Sequence, residues 1–391
     1  MKKLSIVATL FSLCLTAFVQ QMLAQAPELE IRRWADSNEA IPISMSGFSG
    51  TAQEVLKFDL EVHGFVFVGT EAASFILTGS NNGQVEGRLT DKNKTSLLAR
   101  AYTGGSARSQ AHALANDVIF AITQRKGITD KKIAYRVEQG KNDSEIFVAD
   151  FDGANAVAVT SDNSFTAAPS WVPGERKIFY VSYKATGLPQ ILSHDLNSGA
   201  RKKFASYGGL NSGPAVSPDG RRVAMVLGKS GNAEIYVSNI DGSNLKQLTN
   251  SRESKSSPCW SPDGREICYV SDGGRANLYK ISAEGGSPRR LQTTGAGGNL
   301  TEPDWSPDGK LITFTSQTGK YFNVCVVPAS GGNATVLVEG EDSAWGANSR
   351  TIIFTRRKSG SRILSLLDVP TKRVKDVTRI SGSSSQPCWA K

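Results

Sequence analysis

A Pro-x-Trp tripeptide, or a degenerate form of it, returns at nearly constant spacing through the last two thirds of the chain. Pro169-Ser170-Trp171, Pro214-Ala215-Val216, Pro258-Cys259-Trp260, Pro303-Asp304-Trp305, Ser343-Ala344-Trp345 and Pro387-Cys388-Trp389 have third positions 45, 44, 45, 40 and 44 residues apart. A period of this size marks a repeat architecture and overrides any element-by-element reading. Ser217-Pro218-Asp219-Gly220, Ser261-Pro262-Asp263-Gly264 and Ser306-Pro307-Asp308-Gly309 follow three of the tripeptides. Pro at the second position and Gly at the fourth make each a tight hairpin turn. Apolar strands come next: Ile178 to Val181, Val223 to Val226, Ile267 to Val270, Ile312 to Thr315 and Ile352 to Thr355. One further copy, Ile133-Ala134-Tyr135-Arg136, lies 45 residues before Ile178. Each unit continues with a second strand, such as Glu145 to Val148, and a last, more polar one.

Four short strands in about 44 residues form a propeller blade rather than a helical repeat. The apolar strands start at 133, 178, 223, 267, 312 and 352, which makes six blades. Blade one has no Pro-x-Trp strand ahead of Ile133, while Pro387-Cys388-Trp389 has no blade after it. The C-terminal strand is therefore expected to complete blade one and close the ring, which removes exposed sheet edges. The recurring Trp is read as packing between neighbouring blades.

Residues 27–128 lack the repeat and read as a small α/β domain ahead of a propeller over 129–391. Thr51-Ala52-Gln53-Glu54 has capping-box form and opens an apolar-periodic helix to Val62, ended by Gly64. Strands are expected at Phe65 to Val68, Ser74 to Leu77, Gln84 to Leu89 and Ser96 to Ala99. Ala111, Leu114, Ala115, Val118, Ile119 and Ile122 share one helical face, with Gly127 as the expected stop. Glu28-Leu29-Glu30-Ile31-Arg32-Arg33-Trp34 alternates ahead of this domain: it suits an edge strand, or a detachable strand that adds to a partner's sheet.

Met1-Lys2-Lys3, the apolar run Leu4 to Val19 and Ala24-Gln25-Ala26 read as a secretory signal peptide over 1–26, cleaved after Ala24 or Ala26. The mature protein is then expected to be soluble, exported and without a bilayer-spanning segment. Its formal charge is +7 once Lys2 and Lys3 are removed, a mild excess carried by the propeller and no footprint for nucleic acid. Export places Cys259, Cys268, Cys325 and Cys388 in an oxidising space. A type I turn with a Gly bulge at 261–265 pairs Ser261 with Arg265, sets Cys259 opposite Ile267 and turns Cys268 to the other face. Free, buried thiols are therefore expected.

No nucleophile elbow and no phosphate loop occurs in the chain. His63, His112 and His194 are far apart and none has metal-ligand spacing, so no cofactor or metal is expected. His112, in the middle of a helix, is read as a packing or hydrogen-bonding residue. Basic groups at Arg201-Lys202-Lys203, Arg221-Arg222, Arg289-Arg290 and Arg356-Arg357-Lys358 fall at blade edges and are read as solvated surface. An exported propeller that binds or cleaves glycans or peptides stays open as an alternative, although a peptidase of the prolyl-oligopeptidase type needs a further hydrolase domain beyond Lys391.

The chain resembles the TolB family, periplasmic propeller proteins of the Tol–Pal system. The segment Ile235 to Thr249 is similar to the family's I-Y-V-x-x-x-D-G-S-N-x-x-x-L-T blade pattern. Ala111-His112-Ala113-Leu114-Ala115-Asn116-Asp117, then Gly127, then Ile133-Ala134-Tyr135 resembles the family's junction between domains. Asp36-Ser37 before Ile41-Pro42-Ile43, and Asp59-Leu60 before Gly64-Phe65, match its N-terminal domain. The resemblance implies a non-enzymatic monomeric scaffold, peripheral to the membrane. Its propeller face would bind the peptidoglycan-associated lipoprotein Pal, and its N-terminal segment would bind the inner-membrane protein TolA. Carried over, the arm is Glu28, Leu29, Glu30, Ile31, Arg32, Arg33 and Trp34, and the Pal surface comprises Asn211, Ser212, Ser256, Ser257, Thr301 and Glu302. Leu210 departs from the family, which often has His there.

Overall fold

A computed structural model describes residues 38–390; the expected leader, 1–26, and the arm, Glu28 to Trp34, lie outside them. The described chain divides into two compact units, residues 38–60 with 64–127, and residues 61–63 with 128–390.

In the first unit β1 (Ile41–Ser46), α1 (Gly50–Val62), β2 (Phe65–Phe67), β3 (Phe75–Ser80), β4 (Val85–Asp91), β5 (Ser96–Tyr102) and α2 (Ala107–Thr123) follow in order. The sheet order is β2-β1-β3-β4-β5. Alternate residues Ile41, Ile43, Leu77, Val85 and Leu89 are buried with the apolar faces of both helices, including Leu56, Leu114 and Val118. Two helix boundaries differ from the expectation. Helix α1 starts at Gly50, ahead of Thr51, because the Asn81 side chain holds Ser49 at its entrance, accepting from the Ser49 amide at 3.0 Å. Helix α2 ends at Gln124, which takes the left-handed cap conformation in place of Gly127. Gly127 serves close packing instead: a β-carbon there would fall 1.9 Å from the Asn116 side-chain oxygen. His112 sits inside this unit, its Nδ1 2.6 Å from the Asp59 carboxylate.

The second unit is a six-bladed propeller of four-stranded antiparallel sheets. Strand Ser384–Trp389 pairs with Lys132–Glu138, opposing Cys388 to Ala134 and Trp389 to Ile133, so the C-terminus completes blade one. Outermost strands are as short as Val157–Ala158 and Lys246–Gln247, which keeps the exposed edges small. The tryptophans are buried, and two of them reach across to the preceding blade: Trp260 Nε1 donates to the Ala215 carbonyl at 2.8 Å, and Trp389 Nε1 to that of Ala344 at 3.1 Å. Arg222 lies over the Trp260 ring at 4.8 Å and donates to the Gly264 carbonyl, while Lys280 covers Trp305 at 5.2 Å. Part of the basic surface is thus interblade packing, with the long stems covering apolar rings.

The hairpin register corrects the expectation for the cysteines. Ser261 pairs with Glu266, not Arg265, so Cys259 stands directly opposite Cys268 and Trp260 opposite Ile267. The cause is the side chain of Ser261: its hydroxyl donates to Asp263 at 2.6 Å and accepts from the Glu266 amide at 2.9 Å, closing a four-residue loop. Ser217 with Arg222 and Ser306 with Leu311 do the same. Directly opposed residues share a face of the sheet; both thiols are buried and are not joined in a disulfide.

Candidate functional site

Each innermost strand carries a one-residue register shift at the same height. At each shift one residue takes a left-handed backbone: Ala168 (φ 51°), Gly213 (55°), Ser257 (49°), Glu302 (53°), Asp342 (54°) and Gln386 (52°). The conformation costs a non-glycine residue roughly 1–2 kcal/mol, so five such positions in register require compensation. Part of it is local. The next residue is Pro in five of the six strands, which has no amide to leave unpaired where the ladder is interrupted.

The rest comes from the neighbouring blade. Glu302 Oε2 accepts from the Asp342 amide at 2.9 Å, Asp342 Oδ2 from the Gln386 amide at 3.1 Å, and Gln386 Oε1 from the Ala168 amide at 2.9 Å. Hydroxyls of Thr315 and Thr355 also donate to Glu302 and Asp342, at 2.9 and 3.2 Å. One layer further in, Asp304 Oδ2 accepts from the Trp345 amide at 2.7 Å and Ser170 Oγ from the Val216 amide at 3.2 Å. Near Asp342, Arg362 bridges Glu138 of blade one and Glu341 of blade six, at 2.9 and 3.1 Å. Desolvation on the narrow axis, then the neighbouring Asp342 carboxyl, raises the Glu302 carboxyl well above its usual range; desolvation raises Asp342 too.

These strands surround a cavity of about 390 Å³ on the propeller axis, running from Leu210 and Ser256 at the loop end to Pro173 and Pro218 at the turn end. Of the residues read from sequence as a partner surface, Ser212, Ser256, Ser257 and Glu302 line it. Asn211 is buried and its amide is spent on its own loop, donating to the Tyr207 carbonyl at 2.7 Å and accepting from the Tyr207 amide at 2.9 Å. Thr301 is half-buried opposite Thr315 and off the cavity wall. Sequence reasoning missed Asp342 and Gln386, whose only signal was their position ahead of the degenerate and the last tripeptide. Among the described residues no group of three or more His, Cys, Asp or Glu is placed to hold a metal ion, and no helix is long and apolar enough to cross a membrane.

A closed six-bladed β-propeller with an α/β unit ahead of it, presenting loops around an axial cavity, is the class of protein defined by these features. The family model for the TolB beta propeller domain matches residues 120–391. The Tol-Pal system protein TolB of Bordetella pertussis is 30% identical over 333 residues, 82% of this chain and 75% of that protein, and its Bordetella bronchiseptica counterpart matches equally. The crystal structure of TolB from Acinetobacter baumannii superposes with a TM-score of 0.81 at 24% identity, covering 90% of this chain and 97% of that one. The chain belongs to the TolB family.

Proposed function

We propose that this protein is the propeller component of a periplasmic Tol–Pal system and acts as a non-enzymatic scaffold. Its loop face at the axial mouth, with Ser212, Ser256, Ser257, Glu302 and the adjoining Asn211 and Thr301, binds Pal. Its arm, Glu28 to Trp34, engages TolA, and the assembly supports outer-membrane integrity and constriction at division. The observation that carries this reading is the pre-built axial mouth. Six left-handed bulges hold the inner strands in one arrangement, so little ordering remains to be done when a folded partner docks. Family membership supplies the system in which that partner is sought.

Calorimetric titration with the soluble domain of the same organism's Pal tests it, on the mature protein and on a variant lacking residues 27–36. Saturable 1:1 binding is expected. A change in affinity on removing the arm is the expected sign that arm and face are coupled. No heat of binding at high concentration would refute the assignment of Pal.

A further inference from the structure

The interblade relay covers only half of the axial ring. From blade five through six and one to two, each bulge side chain accepts the next bulge amide. From blade two to five it stops, because Ala168, Gly213 and Ser257 have side chains too short to reach the next strand. Among the described residues no side chain accepts from the bulge amides of Gly213, Ser257 or Glu302, although their backbone angles match those of the capped residues. The spacing confirms the equivalence: a β-carbon on Gly213 would stand 3.9 Å from the Ser257 nitrogen, where a longer side chain would cap it. Gly213, Ser257 and Glu302 all line the axial cavity, as does Asp342 on the blade opposite that of Gly213. One wall therefore offers donors and the other acceptors.

We propose that this open half-ring binds a primary carboxamide, the side chain of an Asn or Gln that a protein partner inserts through the mouth. Its carbonyl oxygen accepts from the Ser257 and Gly213 amides, and its NH2 group donates to the Glu302–Asp342 carboxyl pair. This rests on reading the loop face as the partner surface. Other side chains fit worse. A cation leaves the amides unanswered, a carboxylate meets like charge on the acidic wall, and a hydroxyl has a single donor. A carboxamide has two donors and two acceptor sites and no net charge. The wall of Ser212, Ser256 and Leu210 at the mouth leaves room for a side chain.

The test uses N-acetyl-asparagine methylamide on the mature protein, read by backbone amide NMR. Saturable shifts are expected at Gly213, Ser257 and Glu302, with the capped amides of Ala168, Asp342 and Gln386 largely unmoved. The aspartate analogue is expected to bind about tenfold more weakly at neutral pH. Gly213→Asn should cap the Ser257 amide from within and abolish the probe's effect there. The five non-glycine residues at equivalent angles show that the fold accepts a side chain, with Pro258 Cδ giving way from 3.2 Å. Should that variant not fold, Glu302→Gln is the second: probe affinity is expected to fall about tenfold. No shifts at the probe's solubility limit, tighter binding of the aspartate analogue, or unchanged affinity in these variants would each overturn the site. Pal binding with no probe binding discards the site and keeps the partner reading. Probe binding without Pal binding keeps the site and discards Pal as its source.

Discussion

Removing residues 387–391 should unfold or nearly unfold the propeller, far beyond the effect of trimming an ordinary terminus. The deletion takes the second half of the strand that closes blade one, leaving Ser384 and Ser385 still opposite Val137 and Arg136. It removes Trp389, which is almost fully buried, and loss of a buried Trp side chain costs about 3–5 kcal/mol. The bond from Trp389 Nε1 to the Ala344 carbonyl and that from the Ala390 amide to the Lys132 carbonyl at 2.8 Å also go. With the Cys388–Ala134 pairing, these contribute on the order of 1 kcal/mol each. The total is about 6–8 kcal/mol, against a folding stability of order 5–15 kcal/mol for a domain. The deletion also exposes the inner edge of blade one, so aggregation should accompany unfolding. Urea and thermal unfolding of the truncated and full mature proteins measure the loss, and Trp389→Ala alone should account for more than half of it. A truncated protein that melts where the full one does would refute the closure argument.

The axial carboxyls set a pH dependence of definite sign. Glu302 is raised by burial, so the folded state holds its proton more tightly than the unfolded chain. The stability it supplies is complete below its ordinary value of about 4.3 and is lost as pH rises through the raised one. Glu302→Gln should flatten that loss in melting curves taken across the range, and parallel curves for the two proteins would sink the assignment. In blade six, Arg350 and Asp368 form an almost wholly buried pair with Nη2–Oδ2 at 3.0 Å. Asp368→Ala strands the guanidinium and should cost about 3–5 kcal/mol in denaturant unfolding; a cost within experimental error would show that water reaches the pair. Trp260→Phe and Trp345→Phe remove similar volume, but Trp260 donates to the Ala215 carbonyl whereas Trp345 Nε1 is buried with no partner among the described residues. The first should be more destabilising, by about 1–2 kcal/mol, and equal costs would show that the Trp260 bond contributes nothing.

The repeat made the architecture legible in the sequence. A blade is built from contacts within about 44 residues, so turn residues and apolar strands recur wherever a sheet recurs. Counting apolar strands against Pro-x-Trp strands was enough to find six blades and the closure by Ser384–Trp389. Ser212, Ser256, Ser257 and Glu302, which line the axial cavity, were reached only through the family resemblance and not through the period. The turn reading misjudged the Ser261 hairpin, where a single hydroxyl bond moves the register by one residue and brings Cys259 opposite Cys268.

What the chain decided by itself is therefore the blade, the blade count and the closing strand, each set by local period. Only the tertiary structure decided the interior of the ring. The bond from Asp342 to Glu302 joins residues 40 apart on consecutive blades, and that from Ala168 to Gln386 joins residues 218 apart, which meet only once the C-terminal strand has closed the propeller. Side-chain length at one bulge decides whether the next amide is capped. The acidic wall with its raised carboxyls, and the uncapped wall facing it, follow from that juxtaposition and from no pattern along the chain.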